Sequence, residues 1–410
     1  MLRWLIPLLI ISIIEFYSFQ AFKTVFRSKW ILGVYVIVSL IAIIYLFYFL
    51  MTTDRSHGQT RQFMYSMGLF LVVYLPKIIL TLVLVSEDFI RIFQGSIQYF
   101  LGSEEDSSFL PERRKFVSQI ALGLAAIPFS SLIYGMTKGK YNFKVIKQTL
   151  FFTDLPDAFD GTTITHISDI HSGSFDDAEK IQYAIDLINE QNSDMILFTG
   201  DIVNTHATEM DPWIETFKGI HNPKFGKYSV LGNHDYGEYI DWPSQQDKIQ
   251  NFENIKAIHD KIDFKLLLNE HVKIKKENQE LAIVGVENWG RKFGERGDLN
   301  LASKGLSKDD FKIVMSHDPS HWDEKIQHDD NHYHLTLSGH THGFQFGIEI
   351  PGWVKWSPVQ YVYKQWAGLY ENAGRYIYVN RGFGFHAYPG RVGIMPEITV
   401  IELKKGEKVA

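Results

Sequence analysis

The sequence predicts an α/β unit preceded by an α-helical transmembrane region of about four spans, and three observations predict it. The first third of the 410 residues holds four long apolar stretches nearly free of charge, whereas the remainder has ordinary globular composition. Short apolar runs with strand character then alternate with helix-period sequence. Five islands rich in Asp and His follow in order, each just after one of those runs: Asp169-Ile170-His171, Gly200-Asp201, Gly232-Asn233-His234-Asp235, His317-Asp318-Pro319 and Gly339-His340-Thr341-His342.

The expected spans are Trp4 to Phe22, Trp30 to Met51, Met67 to Val85 and Phe116 to Met136, within a membrane region of residues 1–140. Each approaches the roughly 20 residues that cross the hydrocarbon. A signal peptide is the alternative for the first, but it lacks a clear small-residue cleavage site and three more apolar segments follow. Basic residues divide almost evenly between the two sides. Lys23, Arg27, Lys29, Arg91, Arg113, Arg114 and Lys115 fall on one; Arg3, Arg55, Arg61, Lys138 and Lys140 fall on the other. Arg113-Arg114 ahead of an apolar stretch is similar to a twin-arginine export signal, or is an ordinary charged helix flank. The balance leans toward an extracytoplasmic second module, with the cytoplasmic face left open. Glu15 and Lys77 lie at matching depths in parallel spans and are candidates for an intramembrane pair; snorkelling to the interface is the alternative.

A net charge of -6 gives no basic footprint, so no nucleic-acid partner is expected. With no cysteine, disulfides and thiolate ligands are excluded and any metal must be held by nitrogen and oxygen. In residues 141–410, strands are expected at Thr163–Ser168, Met195–Thr199, Lys227–Leu231, Leu281–Val286, Lys312–Ser316, Leu335–Ser338, Tyr376–Asn380 and Ile398–Leu403, and a helix at Asp177–Asn189. Asn142–Ile146 already begins to alternate like a strand, so the tether from the last span is short. Placing every island after a strand lets ligand loops meet at carboxyl ends of strands. In Asp169-x-His171 and His340-x-His342, an extended backbone would point both side chains the same way.

The ordered islands resemble the calcineurin-like metallophosphoesterases, and the apolar first third with the ending Asn380-Arg381-Gly382-Phe383-Gly384-Phe385-His386 resembles their transmembrane members. The resemblance implies two packed sheets flanked by helices and two divalent ions sharing a carboxylate. Asp201 is the bridging ligand it implies, with Asp169, His171 and His342 at one ion and Asn233, His317 and His340 at the other. His234 is then the proton donor to the leaving group, with Asp235 either orienting that ring or capping the next helix. Imidazole and carboxylate donors suit Mn, Fe or Zn, with Mn favoured. The implied activity is hydrolysis of phosphate mono- or diesters, on a phosphorylated lipid or small phosphoester at the bilayer. The alternatives are a UDP-2,3-diacylglucosamine diphosphatase-like hydrolase and a receptor or transporter subunit that only binds a phospho-ligand. Oligomeric state is not legible.

The chain departs from the family pattern at Asn204, where relatives carry a carboxylate, and at Phe344, where they carry glycine. Between Phe346 and Tyr370, Trp353, Trp356, Tyr361, Tyr363 and Trp366, with Pro351 and Pro358, form either a lipid-touching rim or a self-packed loop. Arg291 and Arg296 are candidates for a second phosphate contact, or are solvated. His332 and His334 read as solvated, and His166, His206 and His321 as supporting rather than ligating.

Overall fold

The computed structural model describes residues 2–52, 54–101, 111–350 and 352–407; Pro351 and Ala410 lie outside them. The chain divides into two units, Met1–Thr53 with Tyr65–Tyr134, and Asp54–Met64 with Gly135–Ala410.

The first unit is built from four helices, α1 (Leu2–Val25), α2 (Lys29–Thr52), α3 (Arg61–Leu101) and α4 (Pro111–Thr137). Each is long and apolar enough to cross a membrane. Ile37, Leu40, Ile41 and Ile44 of α2 are more than half exposed, a distribution that lipid rather than water makes favourable. A small inner core of Ala21, Leu80, Leu84, Ala121 and Ala125 lets α1, α3 and α4 approach closely. α3 is longer than the sequence implied. Its 41 residues span roughly 60 Å at 1.5 Å each, so Arg91 is helical rather than in a loop. Arg114 pairs with Glu87 and, at 2.8 Å, with Asp88, which joins α4 to α3.

Glu15 and Lys77 do meet. The Lys77 ammonium donates to both Glu15 oxygens at 2.7 and 2.8 Å and to Ser39 Oγ at 2.7 Å, while Tyr35 donates to the same carboxylate at 3.2 Å. Three helices are therefore cross-linked through one charge pair, and each single charge reversal leaves two like charges in hydrocarbon. Glu15→Lys or Lys77→Glu alone should cost about 3–5 kcal/mol, and the double reversal should recover most of it. Thermal unfolding of the three detergent-solubilised variants measures this; additive losses would show that the pair does not stabilise the helices.

The second unit contains two six-stranded sheets. In chain order its strands are β1 (Lys144–Phe152), β2 (Thr163–Ile167), β3 (Met195–Phe198), β4 (Lys227–Ser229), β5 (Lys265–Leu266), β6 (Glu270–Lys276), β7 (Gln279–Gly285), β8 (Lys312–Met315), β9 (Leu335–Ser338), β10 (Ile348–Ile350), β11 (Val354–Trp356), β12 (Gly368–Asn372), β13 (Arg375–Val379) and β14 (Glu397–Lys405). One sheet runs β1-β14-β2-β3-β4-β5 and the other β12-β13-β9-β8-β7-β6; β10 and β11 form a separate hairpin. Alternation explains the layering. Ile164, Met195 and Leu197 point into a shared core with Ile283, Ile313 and Leu337 of the facing sheet. The opposite face of the first sheet carries Ile196 and Phe198 against α5 (Ala178–Glu190), α6 (Ile214–Lys218) and α7 (Gln245–Lys261), through Ile185, Phe217 and Ile258. The architecture is the expected helix-flanked two-sheet sandwich.

β2, β3 and β4 are mutually parallel, as are β7, β8 and β9. Asp169, Asp201 and Asn233 follow the first three strands, and His317 and His340 follow β8 and β9. The sandwich thus collects the islands of both sheets at one end.

Candidate metal centre

All seven residues implied as ligands are gathered at that end, and six are buried, with His340 partly so. Asp201 Oδ2 lies 3.1 Å from His317 Nε2 and 3.5 Å from His171 Nε2, so one carboxylate oxygen faces groups on both sides. On one side, His342 Nε2 is 3.2 Å from Asp169 Oδ1 and 3.0 Å from His171 Nε2. On the other, His340 Nδ1 is 2.7 Å from Asn233 Oδ1.

The local backbone differs from the extended geometry expected from the sequence. Asp169, His171, Asp201, His340 and His342 all have positive φ, between 49° and 70°. β2 ends at Ile167 and β9 at Ser338, so each pair of implied ligands two residues apart sits in a left-handed turn after its strand. Asp and His tolerate this region better than most residues, though at some cost. Gly200 is needed just before Asp201: its φ is 93°, and a Cβ there would run into the Gly232 backbone nitrogen.

Asp235 does not reach the His234 ring but acts as a cap, on the short 3-10 turn Asn233–Tyr236 in which it sits. Its carboxylate accepts from the backbone N–H groups of Gly232, Asp201 and Ile202 at 2.8 to 2.9 Å, tying the β3 and β4 loops together. The His234 ring is oriented by another group, because its Nδ1 donates to the Asn204 carbonyl at 2.8 Å. Glu209 holds that carbonyl in place by accepting from the N–H groups of Asn204, Thr205 and His206. Burial pushes the Glu209 carboxyl up to about 7, against the pull of those donors.

Residues 162–344 match the family model Calcineurin-like phosphoesterase, and residues 2–140 match Probable Calcineurin-like phosphoesterase, transmembrane domain. The metallophosphoesterase YkuE of Bacillus subtilis is 31% identical over 252 residues, 61% of this chain and 82% of that protein. This chain belongs to the calcineurin-like metallophosphoesterase family. Phosphodiesterase YaeI of Escherichia coli is 28% identical over 302 residues, 71% of this chain and 98% of that one. A Danio rerio protein named "Transmembrane protein with metallophosphoesterase domain" is 26% identical over 282 residues, 67% of this chain and 60% of its own length. The protein is thus a membrane-embedded metallophosphoesterase, a hydrolase of phosphoric esters.

The donor set of this metallophosphoesterase fits divalent cations. Burial opposes charge on Asp169 and Asp201, yet His342 and His317 hold both carboxylates below their usual range. Burial also opposes charge on His317, but Asp201 and then Asp169 lift it to about 10. The carboxylate pair therefore demands positive charge at this point. Burial keeps His171, His340 and His342 below the ordinary histidine range, leaving neutral rings with lone pairs to offer. Tautomers are also set from outside. His317 donates through Nδ1 to the Thr199 carbonyl at 2.7 Å, and its Nε2 is buried without an aligned hydrogen bond. His340 Nε2 faces Tyr363 OH at 2.8 Å, which leaves Nδ1 toward Asn233. His342 differs, since Nδ1 accepts from Arg391 at 2.9 Å and Nε2 carries the proton; a cation would take that proton's place.

The sequence reading gives no role to several groups at the site. The His386 ring packs with its centroid 4.8 Å from those of both His171 and His342, tilted on the first and edge-on to the second, and fully buried Arg391 reaches the carbonyls of Arg381 and Gly382. Tyr239 packs on His234 at 4.7 Å and Phe293 on His340 at 4.8 Å. His386 belongs to the glycine- and aromatic-rich ending Asn380–His386, which is the signal it carries in the sequence. Tyr363 lay inside the aromatic segment, whereas Tyr239 carried no signal. Arg291 and Arg296 do not line up as free phosphate contacts: they pair with Glu324 and Glu238. His334 is not solvated; it stacks on Phe311, accepts from the Lys312 N–H and donates to Asp154 at 2.8 Å. His166 and His321 are buried beside Thr199 and Ser316, and Phe344 is half exposed at a φ of 50°.

Proposed function

We propose that this enzyme is a two-metal phosphoesterase acting at the membrane surface, and the carrying observation is Asp201 Oδ2 facing His317 and His171 at once. Asp169, His171, His342 and Asp201 would hold one cation, and Asp201, Asn233, His317 and His340 the other; Mn, Fe and Zn suit these donors. When bound, the pair supplies Lewis-acid charge to the phosphoryl group and its nucleophile. The chain's own residues do the rest. His234, half-buried and pinned through Nδ1 to the Asn204 carbonyl, keeps Nε2 free to hand a proton to the leaving oxygen. The same carbonyl stabilises the ring when both nitrogens carry protons. Asp235 positions the Asp201 loop rather than the reacting atoms. Tyr239, Phe293 and Tyr363 wall the approach to His234 and His340.

A membrane-surface substrate is favoured by the tether. Only residues 138–143 separate α4 from β1, and Gly139–Tyr141 form a 3-10 turn. Lys140 and Tyr141 are held at 2.6 Å by the two oxygens of Asp176. Even fully extended, six residues reach only about 20 Å. The expected result is metal-dependent, preferentially Mn-dependent, hydrolysis of a small aryl phosphodiester by the detergent-solubilised full chain, with roughly tenfold or better turnover on a phosphate- or diphosphate-bearing lipid in mixed micelles. Equal turnover on soluble and micellar substrates would remove the membrane-surface part of the proposal. No turnover with any divalent ion would remove all of it and favour a phospho-ligand-binding role.

The orientation proposed is extracytoplasmic, on the lean of basic residues toward the connections between α1 and α2 and between α3 and α4. Single cysteines introduced into the cysteine-free chain and treated with a membrane-impermeant maleimide on intact cells test it. Protection of the catalytic unit would reverse the orientation and favour the UDP-diacylglucosamine-type reaction, which needs a cytoplasmic face.

A further inference from the structure

The β10–β11 hairpin turns part of an apolar face outward. Its register pairs Ile348 with Trp356 and Ile350 with Val354, so these four apolar side chains share one face; Glu349 pairs with Lys355 on the other. Both charged residues are tied down, although Lys355 is itself exposed. Glu349 receives a bidentate contact from Arg381 at 2.6 and 2.9 Å, and Lys355 donates to the Ala367 carbonyl. Arg381 is itself buried and paired with Glu397.

On the apolar face Ile348 is 52% and Ile350 43% exposed while Val354 and Trp356 are partly buried, and Trp353 at the tip is 79% exposed. Phe344 just before the hairpin and Tyr361 and Val362 just after it are also more than half exposed. Elsewhere the exposed large apolar residues of this unit are scattered singly, from Tyr183 to Leu369. Such a concentration of exposed apolar side chains in one segment marks a surface that meets something other than water. Phe344 adds a second sign, because its φ of 50° is strained for an aromatic residue, yet the side chain points outward and half exposed.

The occupant is indicated by what the hairpin is rooted on. Gly347 donates to the Val392 carbonyl at 2.9 Å, and the Val392 N–H donates to Gln345 at 2.8 Å. The adjoining Arg391 N–H donates to the Gly135 carbonyl at 3.2 Å, and Gly135 lies in the last turn of the membrane-spanning helix α4. The hairpin base and the end of α4 are thus joined through these hydrogen bonds within one unit. Segment Asp54–Met64, which links two spans, belongs to the same unit and bonds to it through Gln59 to the Ala387 N–H at 2.8 Å and Arg61 to the Phe175 carbonyl at 2.7 Å.

We propose that the outward face of the β10–β11 hairpin, tipped by Trp353 and extended by Phe344, Tyr361 and Val362, is a docking surface that inserts into the interfacial layer of the lipid bilayer. Tryptophan and tyrosine with aliphatic neighbours are the residues that partition there. The segment is also continuous with the centre: Ser357 donates to the Gly343 carbonyl, and Tyr363 reaches His340. Docking would therefore fix the loop carrying His340 and His342 at the level of lipid headgroups.

The absence of native cysteine makes the test direct. Trp353→Cys and Ile348→Cys, each spin-labelled in the full-length chain and reconstituted into phosphatidylethanolamine–phosphatidylglycerol vesicles, are compared with Glu277→Cys in the exposed turn between β6 and β7. Collisions with oxygen, which concentrates in lipid, should exceed those with a water-soluble nickel chelate several-fold at 353 and 348, with the reverse at 277. Nickel-dominated relaxation at 353 and 348 would overturn the proposal. So would labels that are immobilised and shielded from both reagents, because that result means protein, such as a second copy of the chain, covers the face. The readout is lipid exposure, so it stands apart from whether the favoured substrate is a lipid.

Discussion

Asp201→Asn is expected to lose bound metal and turnover together, with activity falling by about a thousandfold or more. The carboxylate is wholly buried, its Oδ2 faces His317 and His171, and its Oδ1 accepts the His234 N–H at 2.8 Å. An amide of the same shape removes one negative charge from a site where burial keeps His171, His340 and His342 neutral, and with it the main attraction that lifts His317 to about 10. Removing Lewis-acid assistance costs several kcal/mol of transition-state stabilisation, and about 4 kcal/mol is already a factor of a thousand. Mass-spectrometric metal analysis of purified protein, alongside phosphodiester turnover, checks it. A variant that keeps about two equivalents of metal per chain would dismiss Asp201 as the shared ligand.

His234→Ala should separate the two properties, leaving metal content unchanged and lowering turnover by roughly 10²- to 10⁴-fold, the range for loss of a positioned acid. The ring contacts its neighbours edge-on and by stacking, and its one defined hydrogen bond runs to the Asn204 carbonyl, so truncation breaks no tie to the carboxylates. The defect should also depend on the leaving group. A nitrophenolate departs with little protonation, whereas an alkoxide needs it, so the loss should be larger for alkyl than for aryl esters. An equal loss on both would mean that His234 binds the phosphoryl group without giving up a proton, and lost metal would place it among the ligands.

Much of this was legible because the chemistry lies in short contiguous motifs. Asp169 to His342 come as islands tied to strands, and β2, β3, β8 and β9 fall within a residue or two of the runs that mark them. The four helices of the membrane unit were legible for the same reason, since apolar length is a one-dimensional signal. What escaped depends on partners distant in sequence. β6 and β12 are edge strands with polar, half-exposed residues, and their strand character comes from pairing with β7 and β13. Asp235 reads as a companion of His234 along the chain, yet its three partners are backbone N–H groups in space. Glu209 gains its place only because the chain after Asp201 folds back over it. The helix Gln245–Lys261 did have signals, with Ser244 as its cap and Ile255 and Ile258 buried, but its polar remainder masked them.

Left-handed backbone at Asp169, His171, Asp201, His340 and His342 narrows the alphabet open to those positions twice over. In the proposed two-metal centre each would have to offer a donor atom, and each sits where most side chains are strained by about 1–2 kcal/mol. Glycine would satisfy the backbone and offer no donor. Glutamate would keep a carboxylate, lengthen its reach and oppose the turn. Few single substitutions therefore lead from this centre to a working neighbour with different ligands, and variation in what the enzyme accepts has its freer course in the surrounding aromatic walls.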